Sequence, residues 1–281
     1  MFWKRRNNEI IQPPNQIPGE SSDSKKYVGS VNVGQVNQFN GLEWWDEANG
    51  PVKPLISFNR IRVPFVCDGI LREKGLESRA KPNALEGFKI LDIGCGGGIL
   101  SEGLAKLGAT VVGLDPGEKN VATARTHLTD ELKTRVTYEC GVIEDYVMRH
   151  PPNDFDAVVM SEVIEHVENP KEFLHTALKL LKPGGSVFIT TPNRTIASWF
   201  SFILMGEYLL RLLPLGTHEW KMFLTLAEVQ EFLKSDGMMT VDVKGITYNP
   251  ITNYWDWTRI TGMQYAIHAV KQSPKLSETS I

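Results

Sequence analysis

Short apolar runs alternate with segments of helical spacing through the middle of the chain. From Ile99 to Leu107, for example, apolar residues recur at the spacing of an amphipathic helix. Regular alternation of this kind is typical of a doubly wound α/β fold, in which helices cover both faces of a mostly parallel sheet. The apolar runs predict strands at 88–91, 109–114, 136–139, 156–160 and 186–190, and Pro183, Gly184 and Gly185 are expected to end the helix before the last of them.

The first predicted strand runs directly into a glycine-rich turn. Residues 90–98 read ILDIGCGGG, and glycines permit positive φ and a close approach of the backbone to a ligand. Asp115 lies at the end of the next predicted strand, about 20 residues further on, where Rossmann-type folds hold ribose hydroxyls. The turn therefore predicts a cofactor site at the carboxyl edge of the sheet.

Asp92, just before the turn, helps to choose between cofactors. The spacing of Gly94, Gly96 and Gly97 does not match G-x-G-x-x-G cleanly, and a carboxylate beside the turn suits an ammonium group and repels a diphosphate. The turn instead resembles the D-x-G-x-G turn of class I S-adenosylmethionine-dependent methyltransferases, with Asp92, Gly94 and Gly96 in the motif positions. A plain strand-to-helix connection is the alternative, but the turn, the acid and the order of elements together favour a methyltransferase.

Residues after the third and fourth predicted strands are further candidates, because ligands in such sheets bind beyond the carboxyl ends of the strands. Val142 and Ile143 follow the third strand. They could flank an adenine ring or simply face the core. Ser161 follows the fourth strand and is expected against the methionine portion of the cofactor.

The segment SEVIEHV, which starts at Ser161, carries two acids and an imidazole. If a helical turn begins here, Glu162, Glu165 and His166 fall at i, i+3 and i+4 and share one face. Such a group is a candidate divalent-cation site or a candidate acid and base. The same residues could also be a solvated helix start, where the helix dipole favours acids.

Composition fits one large core and excludes some classes. The chain has 281 residues, of which 42% are hydrophobic, and a net charge of −3, so it shows no electrostatic footprint for nucleic acid. Its three cysteines lack C-x-x-C spacing, which argues against a disulfide framework or a structural zinc site. No apolar run reaches the roughly 18 residues that a membrane-spanning helix needs.

The ends of the chain and two internal segments differ from the alternating middle. We expect disorder in 1–31, a methyltransferase domain at 32–270 and a flexible tail at 271–281. Within the domain, 32–85 is expected to form cap helices, where Trp44 and Trp45 either cover the cofactor pocket or pack the flank. An apolar insertion at 196–216 could lie in a membrane interface or form a buried helix over the active site. Lys4, Arg5 and Arg6 are soon followed by acids and make a poor mitochondrial presequence.

Several further motifs extend beyond the glycine turn. They are WWD at 44–46, KPL at 53–55, NRIR at 59–62, EVIEHV at 162–167, KPGG at 182–185, NRT at 193–195, GTHEW at 216–220 and YNPITN at 248–253. This combination resembles the ubiquinone-biosynthesis O-methyltransferase family from about Val36 to about His268. The glycine turn and KPGG are generic to methyltransferases, whereas WWD, GTHEW and YNPITN are far more specific.

This resemblance implies a Rossmann-like class I methyltransferase fold with a seven-stranded, mostly parallel sheet. It implies methyl transfer from S-adenosylmethionine to catechol-type hydroxyls of polyprenylated ubiquinone precursors, at both O-methylation steps. A divalent cation, expected to be Mg²⁺, is implied too, although an imidazole ligand is unusual for so hard a cation. The family's cofactor contacts carry over onto Arg62, Gly94, Asp115 and Ser161, and its metal ligands onto Glu162, Glu165 and His166.

The resemblance also implies other ubiquinone-biosynthesis proteins as partners and peripheral membrane contact through 197–216. In a eukaryote the expected location is the matrix face of the mitochondrial inner membrane, and otherwise the cytoplasm in association with a membrane. Without a metal, His166 becomes the general-base candidate, and Glu162 is the other candidate catalytic residue. Two other classes fit the residues: a methyltransferase for another small-molecule acceptor, and a noncatalytic cofactor-binding subunit.

Overall fold

The computed structural model describes residues 29–30, 32–46, 50, 52–76, 81–195, 198 and 222–272. Strands and helices alternate along most of this part of the chain. The strands are β1 Lys89–Ile93, β2 Thr110–Asp115, β3 Val136–Cys140, β4 Phe155–Ser161, β5 Leu181–Pro192, β6 Met238–Asn249, β7 Tyr254–Thr258 and β8 Gln264–Lys271. The helices are α1 Val33–Phe39, α2 Lys53–Glu73, α3 Ile99–Ala105, α4 Glu118–His127, α5 Ile143–Arg149, α6 Pro170–Leu178 and α7 Leu226–Ser235.

The strands of the described residues form one mixed sheet in the order β3-β2-β1-β4-β5-β8-β6-β7. The first five strands in this order pair in parallel, so their carboxyl ends meet at one edge of the sheet. Strand β8 runs antiparallel to both β5 and β6. The predicted Rossmann-like class I methyltransferase fold is confirmed, but the sheet has eight strands where the family resemblance implied seven.

The additional strand is β7, which forms an antiparallel hairpin with β6 at the edge of the sheet. Its turn contains the YNPITN motif. Trp255 of β7 stacks on Phe58 of α2 with ring centroids 4.3 Å apart, and its indole N–H donates to the carbonyl of Pro54 at 2.8 Å. The hairpin therefore anchors the start of α2 to the sheet edge.

Alternate residues of the central strands enter two hydrophobic layers. Ile90 of β1 lies in the same core cluster as Phe65 and Leu104, on the face covered by α2 and α3. Its neighbour Leu91 belongs to the cluster that contains Leu174 of α6, on the opposite face. Because side chains alternate along a strand, the apolar runs read from the sequence bury both faces of the sheet.

One predicted boundary is wrong. The helix before β5 ends at Leu178, with Lys179 as its C-terminal cap, and the KPGG motif lies inside β5 instead of ending the helix. Gly184 takes a φ of 72° there, and the pairing of β4 with β5 is irregular between Phe155 and Ala157. The KPGG motif therefore marks an irregular start of β5 and not the end of a helix. Glycine is common in both places because it can adopt a positive φ.

Both ends of the chain and most of the apolar insertion lie outside the described residues. Residues 1–28 and 31, almost all of the insertion at 196–216, the GTHEW motif and 273–281 are outside them. Ser30 is described and buried; its hydroxyl donates to Glu144 at 2.6 Å. Among the helices of the described part, none has both the length and the apolar character to cross a membrane.

Candidate cofactor and active site

The glycine-rich segment forms a tight turn between β1 and α3. Gly94, Gly96 and Gly98 have φ values of 72°, 53° and 87°. This backbone conformation is energetically unfavourable for any residue that has a Cβ atom. The N–H of Gly94 donates to the carbonyl of Leu114 at 2.7 Å, which ties the turn to the end of β2. The predicted strand, turn and helix are confirmed.

Asp115 ends β2 and faces this turn. Its Oδ2 accepts from the N–H of Gly96 at 2.9 Å, and its Oδ1 accepts from the N–H of Gly117 at 2.8 Å and from Asn120 Nδ2 at 3.2 Å. Burial raises the pKa of Asp115, while these three hydrogen bonds lower it. The acid predicted to hold ribose hydroxyls thus lies directly beside the turn.

Asp92 is buried at the end of β1. Its carboxylate accepts from Ser101 Oγ at 2.6 Å. Burial raises the pKa of Asp92 to about 6, although Ser101 and the charge of Arg62 lower it. A cationic ligand near this carboxyl group would stabilise the ionised form.

Arg62 of α2 spans the space between the cap helices and the sheet. Its Nη1 donates to Ser161 Oγ at 3.0 Å, and its Nη2 donates to the Leu55 carbonyl at 2.9 Å and to Asn59 Oδ1 at 2.8 Å. Burial lowers the pKa of Arg62 to about 10, so the guanidinium stays charged at neutral pH. Arg62 and Ser161 line one small cavity together with Leu100, Phe188 and Thr190.

A hydrogen-bonded chain continues from Ser161 to Glu162. Ser161 Oγ lies 2.7 Å from Thr190 Oγ1, and Thr190 Oγ1 donates to Glu162 Oε1 at 2.7 Å. Gln264 Nε2 donates to the same carboxylate oxygen at 2.8 Å. Thr190 and Gln264 were missed in the sequence; the available signal was the position of Thr190 at the carboxyl end of β5, next to β4.

The predicted helical face of Glu162, Glu165 and His166 is wrong. Glu162 has a φ of 59°, outside the helical region, and only Ile164–His166 form a short 3₁₀ turn. Glu165 is buried, and its Oε2 accepts from Thr191 Oγ1 at 2.9 Å. His166 Nε2 lies 3.9 Å from Glu165 Oε1. These residues meet at the end of β4, but they do not share one helical stripe.

The two carboxyl groups differ in their surroundings. Burial and the nearby charge of Glu162 raise the pKa of Glu165 well above its ordinary value, which favours its protonated form. Glu162 accepts hydrogen bonds from Thr190 and Gln264.

This arrangement does not fit the expected site for a divalent cation. Within the part of the chain that the structure describes, no group of three or more His, Cys, Asp or Glu side chains is placed to hold a metal ion. Glu162 Oε1 already accepts two hydrogen bonds, and Glu165 Oε2 is taken by Thr191. Two side-chain hydroxyls and one amide thus occupy these two oxygens.

Val142 and Ile143 lie at the junction of β3 and α5 and are both buried. Ile143 belongs to the core cluster on the α6 face of the sheet. Gly141, just before them, donates its N–H to the carbonyl of Asp115 at 3.0 Å. Ile143 therefore packs in this core cluster, and the junction lies next to the end of β2.

Trp44 and Trp45 lie against the glycine turn. Trp44 is 9% exposed, and a Cβ atom on Gly97 would come within 2.3 Å of its side chain. Trp45 Nε1 donates to the carbonyl of Gly97 at 2.9 Å, and its indole stacks on His127 at 3.5 Å. Both tryptophans therefore cover the glycine turn.

The chain matches the family model of a methyltransferase domain over residues 91–189. It is 41% identical over 257 residues to the mitochondrial ubiquinone biosynthesis O-methyltransferase of Rattus norvegicus, covering 89% of this chain and 73% of that protein. With the human protein of the same name it shares 42% identity over 246 residues, or 86% of this chain and 66% of the relative.

A bacterial relative matches over almost its full length. The ubiquinone biosynthesis O-methyltransferase of Methylobacterium nodulans is 42% identical over 242 residues, which cover 85% of this chain and 95% of that protein. Together these relatives confirm the family resemblance read from the WWD and YNPITN motifs.

Solved structures support the fold. The magnesium protoporphyrin IX methyltransferase of Synechocystis PCC 6803, determined with bound SAH, superposes with a TM-score of 0.57 at 19% identity and covers 85% of this chain and 94% of its own. The [4+2]-cyclase SpnF gives a TM-score of 0.50 at 19% identity over 74% and 81% of the two chains. At these identities the likeness shows the fold alone, whereas sequence relatives that are at least 38% identical show the family. The chain therefore belongs to the ubiquinone biosynthesis O-methyltransferase family and is an S-adenosylmethionine-dependent methyltransferase.

Proposed function

We propose that this protein transfers the methyl group of S-adenosylmethionine to a catechol-type hydroxyl on a polyprenylated ubiquinone precursor, at both O-methylation steps. The observation that carries the proposal is its 41% identity over 257 residues to a relative named for ubiquinone biosynthesis O-methylation. The meeting of Asp92, the glycine turn and Asp115 at one edge of the sheet supports the donor half.

The cofactor is proposed to lie across the carboxyl ends of β1, β2 and β4. Asp92 attracts the ammonium group of the cofactor, and the turn at Gly94 and Gly96 lets its backbone approach closely. Asp115 accepts hydrogen bonds from the ribose hydroxyls. Arg62 and Ser161, which are joined at 3.0 Å, hold the methionine end.

The adenine ring is proposed to lie at the junction of β3 and α5. Val142 and Ile143 begin this junction, and both are buried close to the end of β2. Their apolar side chains provide one wall for a flat ring, while Gly141 keeps the loop tied to Asp115. This position is continuous with the proposed ribose contact.

The reaction needs an aligned oxygen and a proton acceptor. The phenolic oxygen bonds to the methyl carbon as the carbon–sulfur bond breaks, and S-adenosylhomocysteine leaves with the electron pair of that bond. A free phenol titrates near about 10, so a base that takes the proton accelerates transfer. His166 is the proposed base, since its imidazole lies at the end of β4 beside Glu165. Glu162 is the alternative base.

A divalent cation is implied by the family resemblance, and Mg²⁺ is the expected ion. Bound to both catechol oxygens, such an ion would favour the phenolate. The described arrangement of Glu162, Glu165 and His166 does not support that site, so the proposed proton transfer uses protein groups alone. Adding a chelator to the assay tests separately whether a divalent cation takes part.

The names of the relatives support a proposal for the location of this protein. Several of them carry mitochondrial names, whereas others are bacterial. In a eukaryote we expect the matrix face of the mitochondrial inner membrane, with other ubiquinone-biosynthesis proteins nearby. Elsewhere we expect a cytoplasmic, membrane-associated enzyme. The apolar segment 197–216 is the proposed membrane contact, and it lies outside the described residues apart from Ser198.

The test is methyl transfer from labelled S-adenosylmethionine to a short-chain polyprenyl dihydroxybenzoate and to a demethylubiquinol analogue, with and without chelator. The wild-type protein should methylate both acceptors. His166→Ala should lower turnover at least about 100-fold, while the affinity for S-adenosylhomocysteine should change by no more than about threefold.

His175→Ala is the matched control, because His175 is an exposed imidazole that pairs with Asp236 at 2.6 Å on the surface of α6. Full activity in His166→Ala would contradict the assigned base. Binding of the cofactor without transfer to either acceptor would favour the noncatalytic subunit, and transfer to an unrelated phenol alone would favour another small-molecule methyltransferase. Loss of activity with chelator, restored by Mg²⁺, would show that a cation takes part.

A further inference from the structure

Asn120 joins the tryptophan cover to the carboxylate of Asp115. It is a buried residue of α4, five positions after Asp115. Its Oδ1 accepts from Trp44 Nε1 at 2.9 Å and from the N–H of Gly41 at 3.1 Å. Its Nδ2 donates to Asp115 Oδ1 at 3.2 Å. One amide thus connects the segment before α2 to the end of β2.

The two donors determine which way this amide points. An amide offers an accepting oxygen and a donating NH₂ group, and the N–H groups of Trp44 and Gly41 can bond only to the oxygen. In the reversed orientation the NH₂ group would meet two donors while the oxygen faced a carboxylate. The contacts of Trp44 and Gly41 therefore direct the Asn120 NH₂ group at Asp115.

The Asp115 carboxylate is mostly occupied by these contacts. An ionised carboxylate accepts at about four lone-pair positions, and on Oδ1 two of them are filled by Gly117 and Asn120. On Oδ2, Gly96 fills one. Among the described residues this leaves one accepting position, on Oδ2, and the bonds to Oδ1 fix the direction in which it points.

Trp44 is held at the same place by packing. A Cβ atom on Gly96 would lie 2.4 Å from its ring, which means that the indole lies directly on the turn. The Trp44 N–H points to Asn120 while the ring covers Gly96, whose own N–H bonds to Asp115. Docking of the segment 41–46 and alignment of the acid are thus linked.

We propose that Trp44 and Asn120 are positioning residues that align Asp115 for the ribose hydroxyls of the cofactor. The inference rests on the proposed function in one respect, namely that Asp115 accepts from the ribose. Trp44 orients the amide, the amide holds Oδ1, and Oδ2 is left to accept a ribose hydroxyl. Neither residue needs to touch the reacting atoms.

The test compares two ligands in calorimetric titrations of the full chain. S-adenosylhomocysteine carries both ribose hydroxyls, and its 2′,3′-dideoxy analogue carries neither. Trp44→Phe keeps an aromatic ring over the turn and removes the N–H. It should weaken binding of S-adenosylhomocysteine about tenfold, as expected for a lost bond in a charged network, and binding of the analogue by no more than about twofold.

Trp45→Phe is the matched control, because it removes the neighbouring indole N–H, which bonds to Gly97 and not to Asn120. It should change the affinities for both ligands by the same factor. Asn120→Ser repeats the test from the other side of the contact and should behave like Trp44→Phe. Thermal unfolding monitored by circular dichroism confirms that each variant is folded.

The possible results separate the inference from the proposed function. Equal losses for both ligands in folded Trp44→Phe and Asn120→Ser would overturn the inference alone, since a merely structural cover would act on both. A wild-type protein that binds both ligands equally well would overturn the contact between Asp115 and the ribose, and the inference with it. If the wild-type protein bound neither ligand, the donor half of the proposed function would fail as well.

Discussion

Gly96 lies directly beneath the indole of Trp44, so close that a Cβ atom on the glycine would come within 2.4 Å of a ring carbon. The two residues are far apart in the chain and belong to different layers of the fold. Two reasons therefore require a glycine at position 96. A Cβ atom would clash with Trp44, and the φ of 53° is a conformation that L-residues rarely adopt.

Gly96→Ala should therefore weaken cofactor binding strongly. The new methyl group would displace Trp44 and shift the N–H that bonds to Asp115. Gly75→Ala separates this clash from backbone strain, because Gly75 has a φ of 62° and open space around its Cβ position. We expect a stability loss of roughly 1–2 kcal/mol in both variants from strain and weakened binding of S-adenosylhomocysteine in Gly96→Ala only. Unchanged binding in Gly96→Ala would disprove the assigned contact.

Cofactor affinity should fall as the pH decreases through about 6, where burial places the pKa of Asp92. Above that pH the group is a carboxylate that attracts the ammonium of the cofactor. Below it the group is neutral, and the loss should approach about tenfold per pH unit. Titrations between pH 7.5 and 5 measure this slope. Asp92→Asn should bind weakly with little pH dependence, and the same slope in that variant would assign the effect to another group.

His268 should make the fold less stable in mild acid. It is fully buried, with Nδ1 accepting from Arg72 Nη2 at 3.2 Å and Nε2 lying 2.9 Å from Ser186 Oγ. Burial and the charge of Arg72 lower the pKa of His268 from 6.5 to about 4. Between these values the unfolded chain binds the proton and the folded chain does not. This contribution to stability is therefore complete above pH 6.5, declines as the pH falls towards 4 and is constant below that.

His268→Gln isolates this contribution, because the amide does not titrate. Between pH 7 and pH 4, the wild-type protein should lose up to about 3 kcal/mol more unfolding free energy than His268→Gln. Urea unfolding at several pH values measures it. A difference that stays constant with pH would show that His268 has the same pKa in the folded and unfolded states.

The hairpin of β6 and β7 should depend on Asn253. This residue has a φ of 49°, and its Oδ1 accepts from Ser57 Oγ at 2.8 Å and from the Tyr248 hydroxyl at 3.0 Å. Asn253→Ala should lower the free energy of unfolding by about 2 kcal/mol, because two hydrogen bonds are lost. Ile251→Ala is the control in the same turn, since Ile251 is 93% exposed. Equal effects of the two substitutions would contradict the anchoring role.

The strands were predictable because their signal is local. Apolar runs located β1 to β5, and β4 was expected at 156–160 and observed at Phe155–Ser161. The glycine turn and the acid after β2 followed from residue types at fixed spacing. The strands β6, β7 and β8 were not located from the sequence; β7, for example, has no run of apolar residues in YWDWT and pairs only at the sheet edge. The start of β5 was missed as well, since the KPGG motif is typical of a turn.

The candidate site was only partly predictable. Arg62 was identified through family resemblance, and its bond to Ser161 explains its place. The helical stripe expected for Glu162, Glu165 and His166 failed, because the carbonyl of Thr190 accepts from the N–H of Glu162 at 2.9 Å and Thr190 Oγ1 donates to its carboxylate. Contacts across the sheet outweighed the local spacing.

By itself the sequence determined the order of the first five strands, the cofactor turn and the family, since these depend on periodicity and on motifs within short stretches. Only the tertiary structure decided that Trp44 covers Gly96, that Asn120 directs its amide at Asp115, and that Thr190 and Gln264 hold Glu162. These contacts join residues that are distant in the chain. They arise from how the cap segment and neighbouring strands pack, and no local pattern of residues specifies such packing.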